Sequence, residues 1–72
     1  MKKRKVEIKV NYIRNKKSFW TIMPFDMPPR FALTETNINI LTEYIKNFLG
    51  VKNATIEKIT DFDTKTIIYE VK

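Results

Sequence analysis

The 72-residue sequence has no cysteine and no histidine, one glycine and three prolines. Each shortage closes a route. Without cysteine no disulfide framework can staple the chain. Without either residue there is no Cys/His metal site and no catalytic triad built on His or Cys. One glycine, Gly50, cannot make a glycine-rich loop that cradles phosphate. Ser18 is the only serine and has no histidine to activate it. Glu35, Glu43, Glu57 and Glu70 form no pair placed for acid–base work. The expectation is a protein that is not an enzyme and that uses neither cofactor nor metal.

Long apolar runs are missing too, so no segment is expected to span a bilayer. Met1 to Lys5 imitates the basic start of a signal peptide. Glu7, Lys9, Asn11 and Arg14 interrupt the apolar run that should follow. A cytoplasmic chain with no membrane partner is the expectation.

What the sequence does hold is 43% hydrophobic and 31% charged residues, the balance of a globular chain rather than a disordered one. Five Phe, three Tyr and one Trp supply large side chains to a small core. The length suits one compact domain of modest stability. The formal net charge is +6, and it is unevenly spread. Residues 1–17 carry eight bases against Glu7, a net of +7. The remainder nets −1. A concentrated positive segment makes a local field that attracts an anionic partner, whereas an even spread promotes only solubility.

Val6, Ile8, Val10 and Tyr12 alternate with Glu7, Lys9, Asn11 and Ile13, which predicts a strand with one buried face. Arg14 to Lys17 is a polar break, and Ser18 to Met23 predicts the returning strand of a hairpin with a basic tip. Two registers are open. A two-residue turn at Asn15 and Lys16 puts Phe19, Thr21 and Met23 on the face of Val10 and Tyr12. A three-residue turn puts Trp20 and Ile22 there instead. In either case one apolar set lies on the outer face near Lys9 and Asn11. Residues 24–33 hold all three prolines and predict a connection. Arg30 beside Pro28 and Pro29 could dock a partner, though a plain crossover is the simpler reading.

A helix follows, capped by Thr34 or Thr36, with Ile38, Leu41, Ile45, Phe48 and Leu49 on its apolar stripe, Tyr44 at the margin and Gly50 as C-cap. Residues 54–61 and 65–71 predict a second hairpin, and the three-residue spacing of Ile56 and Ile59 predicts a bulge or twist. Asp61 and Asp63 read as turn chemistry, because the remainder of a calcium loop is absent.

The expected fold is α+β in the order β-β-α-β-β, with one helix on one face of a four-stranded, mostly antiparallel sheet. Residues 1–5 are expected to form a basic flexible tail and 6–72 the domain. Strand order stays open between a β-grasp-like arrangement, with parallel first and last strands as neighbours, and an all-antiparallel one with the first and third as neighbours.

The leading functional expectation is a small nucleic-acid-binding or accessory protein. Lys2, Lys3, Arg4, Lys5, Lys9, Arg14, Lys16 and Lys17 would contact phosphates, and an exposed Trp20 or Phe19 would stack on bases. The alternative is a protein-interaction module: a homodimer, or a small regulator or inhibitor that binds another protein through a sheet edge or exposed aromatic face.

Overall fold

The fold turns on which side chains of the first strand look inward. The computed structural model describes residues 4–28 and 31–71. In it β1 (Arg4–Arg14), β2 (Lys17–Met27), α1 (Glu35–Leu49), β3 (Asn53–Asp61) and β4 (Ile67–Glu70) follow one another. Val6, Ile8 and Val10 of β1 meet Met27, Ile56 and Ile59 from the flanking strands and Ile38, Leu41 and Ile45 from the helix. All nine are buried, and each fully buried aliphatic side chain contributes about 2 kcal/mol of burial free energy.

The sheet order is β2-β1-β3-β4, every neighbouring pair antiparallel. The β-grasp-like order is therefore corrected: β1 neighbours β3, not β4. Contacts at the start of β1 close that pairing. Arg4 Nε lies 2.6 Å from Asp61 Oδ2, and the Phe62 N–H donates to the Lys5 carbonyl at 3.1 Å. Arg4 and Lys5, expected in the basic tail, are thus strand residues, while Lys2 and Lys3 lie outside the described residues.

A two-residue turn joins β1 to β2. Asn15 and Lys16 both take positive φ, 52° and 63°, the type I′ geometry whose twist suits a hairpin. Arg14 faces Lys17, and the pairing runs without a shift to Arg4 and Met27. This selects the first of the two registers. Phe19, Thr21, Met23, Phe25 and Met27 point to the helix side, and Ser18, Trp20, Ile22, Pro24 and Asp26 point away from it.

Pro24 to Met27 belong to β2, not to the connection the prolines suggested. The reason is positional. In a two-residue hairpin Arg14 and Lys17 form a hydrogen-bonded pair, so pairs alternate and Pro24, opposite Glu7, falls at a non-bonded one. The backbone position that lacks an N–H faces the free edge and costs β1 nothing.

Thr34 caps α1, its Oγ1 accepting from the Asn37 N–H at 3.2 Å. Gly50 ends the helix at φ 69°, and its N–H reaches the Lys46 carbonyl. Phe48 is a correction, since it is 68% exposed rather than part of the core. At about 100° per residue it lies only about 20° beyond Leu41, on the Tyr44 side of the stripe, and it stands in the last turn before Gly50. Tyr44 finds Phe25 at 5.9 Å, edge to face. Between Lys9 and Val10 the β1–β3 register shifts, leaving Glu57 as the extra residue of a bulge between Ile56 and Lys58. A second shift, between Ile59 and Thr60, shortens β4 to Ile67–Glu70 and leaves Ile67 exposed.

Candidate nucleic-acid interface

One helix covers one face of the sheet, and the other face stays open. Strand alternation sends Trp20 and Ile22 of β2, Lys9, Asn11 and Ile13 of β1, and Thr55 and Glu57 of β3 to that open face. Trp20 is 62% exposed and Ile22 50%. Lys9 Nζ sits 5.0 Å from the centroid of the Trp20 ring and 3.0 Å from Glu57 Oε2. Asn11 Nδ2 donates to the other oxygen of Glu57 at 3.1 Å. These two hydrogen bonds, Asn11 first and Lys9 second, lower the pKa of Glu57 below the usual carboxylate range. Glu57, the extra residue of the bulge, holds both Lys9 and Asn11, and of the three Lys9 is the one placed over the indole.

Beside Trp20 lies a shallow depression of about 370 Å³. Its lining comes from three adjacent rows across the strands: Trp20–Asn11–Thr55, Phe19–Tyr12–Ala54 and Ser18–Ile13–Asn53. The outer two rows point to the open face, and the middle row gives the floor. An aromatic wall, amide and hydroxyl side chains and a main-chain floor suit a flat, polar-edged ligand.

Past the last row is the hairpin tip. Arg14, Lys16 and Lys17 project there, and Lys52 joins them, because Asn53 pairs with Ile13 and brings the start of β3 to the same end. No Asp or Glu lies in the rows from Arg14–Lys17 to Trp20–Asn11–Thr55. At the opposite end Asp26, Asp61 and Asp63 gather near Arg4 and Lys5. With extents of 40 × 22 × 21 Å the molecule is elongated, so these opposite ends lie beyond one Debye length at physiological salt, about 8 Å.

The eight bases expected to bind phosphate divide into three groups. Lys16 and Lys17 are exposed at the tip with no ion pair among the described residues. Arg4, Lys5, Lys9 and Arg14 are engaged within the fold. Arg4 pairs with Asp61, whose carboxylate also accepts the N–H groups of Thr64 and Asp63, both at 3.0 Å. The Thr64 bond, then Arg4, holds the Asp61 pKa down at about 2; the Asp61 carboxylate serves the turn by accepting the Asp63 and Thr64 N–H groups. Lys5 stands 4.4 Å from the Phe62 ring centroid. Arg14 donates to the Leu49 carbonyl and lies 5.7 Å from the Tyr12 ring. Lys2 and Lys3 lie outside the described residues.

Phe19 and Trp20 are separated by the sheet itself. Phe19 stacks on Tyr12 at 5.7 Å on the helix side and is 44% exposed, while Trp20 stands alone on the open side. Lys52 was absent from the sequence-derived set. Its only signal was its place just before a predicted strand, and its meaning depended on which end of β1 that strand would meet.

Comparison with family models, curated proteins and solved structures returns no match. The candidate interface therefore rests on its own geometry.

Proposed function

We propose that this chain binds nucleic acid through the tip end of its open sheet face, with Lys16, Lys17 and Lys52 on phosphates and Trp20 on an unstacked base. The observation that carries the reading is a 62% exposed tryptophan beside a basic tip from which carboxylates are absent. A base offers a π-face that an exposed indole can stack on, worth about 1–3 kcal/mol. A phosphate needs cations not already neutralised by the fold, and among the described residues the tip brings together Lys16, Lys17 and Lys52 with no ion pair. Lys16 adds a further sign. It occupies a left-handed backbone position where glycine is preferred, so the chain carries a cation at its tip at a cost of about 1 kcal/mol.

Stacking requires a base free of its duplex, so single strands should bind more tightly than duplexes. Three phosphate contacts correspond to a slope of about −2 in log K against log salt for a single strand. Titration of labelled single- and double-stranded oligonucleotides at several salt concentrations tests this. Single-strand binding that weakens with that slope supports the proposal. No binding at low salt, or binding indifferent to salt, contradicts it.

A further inference from the structure

Strand β2 is the longest exposed edge of the sheet. It runs for 11 residues at the outside of the order β2-β1-β3-β4, and its register with β1 has no shift. Edge strands are commonly protected by bulges, by brevity or by a covering loop, because their outward N–H and C=O groups template another strand. Here the outward groups belong to Ser18, Trp20, Ile22, Pro24 and Asp26. Among the described residues no loop or helix carbonyl accepts from them. Pro24 is the single interruption. Phe19, Trp20 and Ile22 on this strand are all exposed, at 44%, 62% and 50%.

We infer that two copies of this chain pair through β2, antiparallel and centred on Ile22, to form one continuous eight-stranded sheet. Ile22 is the midpoint of Lys17–Met27, so pairing about it uses the whole strand. The sequence of β2 is self-complementary in that register. On the open face Ile22 meets Ile22 of the second copy, Trp20 lies opposite Pro24, and Ser18 lies opposite Asp26. On the helix side Phe19 lies opposite Phe25, Thr21 opposite Met23, and Lys17 opposite Met27. The charges also match. Lys16 and Lys17 sit at one end of the strand and Asp26 near the other, so each copy's Asp26 comes beside the other's basic end. Outward ladder bonds form at Ser18, Trp20, Ile22 and Asp26, and only the N–H missing at Pro24 is lost. Cross-strand aromatic pairs and opposite charges stabilise such a seam. The contact is edge to edge, so the open face stays open in the dimer, and the pairing does not depend on any nucleic acid.

Sedimentation equilibrium of nucleic-acid-free protein over a wide concentration range tests this. The expected result is a reversible monomer–dimer equilibrium. Ile22→Pro removes the two bonds exchanged at the centre of the seam and none to β1, and should weaken association about tenfold or more, with circular dichroism reporting the intact fold. A charge swap gives a second route. Asp26→Lys should weaken association at low salt, and adding Ser18→Asp, directly opposite it on the open face of the other copy, should restore it. A chain that stays monomeric up to millimolar concentration overturns the inference. So does a folded Ile22→Pro variant that dimerises like the parent, or a double charge variant no stronger than Asp26→Lys alone.

Discussion

The guanidinium of Arg14 donates to the carbonyl oxygen of Leu49, so the last residue of β1 caps the last turn of α1. A cation at that end also complements the negative pole of the helix. Arg14 was expected to bind phosphate, and the fold uses it to tie the hairpin tip to the helix. Arg14→Ala should therefore lower stability by about 1 kcal/mol. Urea denaturation would show this as a lower midpoint with an unchanged slope.

At Lys16 stability and binding should move in opposite directions. Its φ of 63° follows the positive φ of Asn15, and glycine is preferred at the second position of such a turn. Lys16→Gly should raise stability by about 0.5–1 kcal/mol while weakening oligonucleotide binding at low salt. Thermal melts and binding titrations of the same variant would read both effects. A variant that gains stability and binds unchanged would remove Lys16 from the interface.

Acid should destabilise the fold through Asp61. Its folded pKa is lowered to about 2 from an ordinary value of 3.8, first by the Thr64 N–H and then by Arg4. A lowered folded pKa means that the unfolded chain takes up the proton first. The contribution is complete above about pH 4 and disappears as pH falls toward 2. Glu57, lowered by Asn11 and Lys9, acts in the same direction. Asp61→Asn should lower Tm at neutral pH and flatten the fall of Tm across that acid range, as melts at a series of pH values would record.

Much of the fold could be read from local pattern. The alternation from Val6 to Tyr12, a threonine cap at Thr34 or Thr36, the Gly50 C-cap and the Ile56–Ile59 spacing are each decided within a few residues, and each is found, with Thr34 as the cap. The register of the first hairpin could not be read so, because Ser18 to Met23 is apolar on both faces and fits either turn length. Pro24 misled because the rule against proline in strands weakens at an edge, and edges are set by strand order. Strand order itself depends on contacts such as Arg4 with Asp61, 57 residues apart. The charge count met the same limit. It located the positive segment correctly, but in sequence it could not show that Arg4, Lys9 and Arg14 have partners within the fold, or that Lys52 joins the tip.

The most direct test of the interface is the fluorescence of Trp20, the only tryptophan in the chain, during titration with a short single-stranded oligonucleotide at low salt. Stacking on a base should quench its emission. The quenching should reverse as salt is raised, and in the Lys16→Glu/Lys17→Glu variant it should require much more ligand. Emission unchanged through a titration in which binding is seen by another signal, or quenching that survives both high salt and the double variant, would contradict the account.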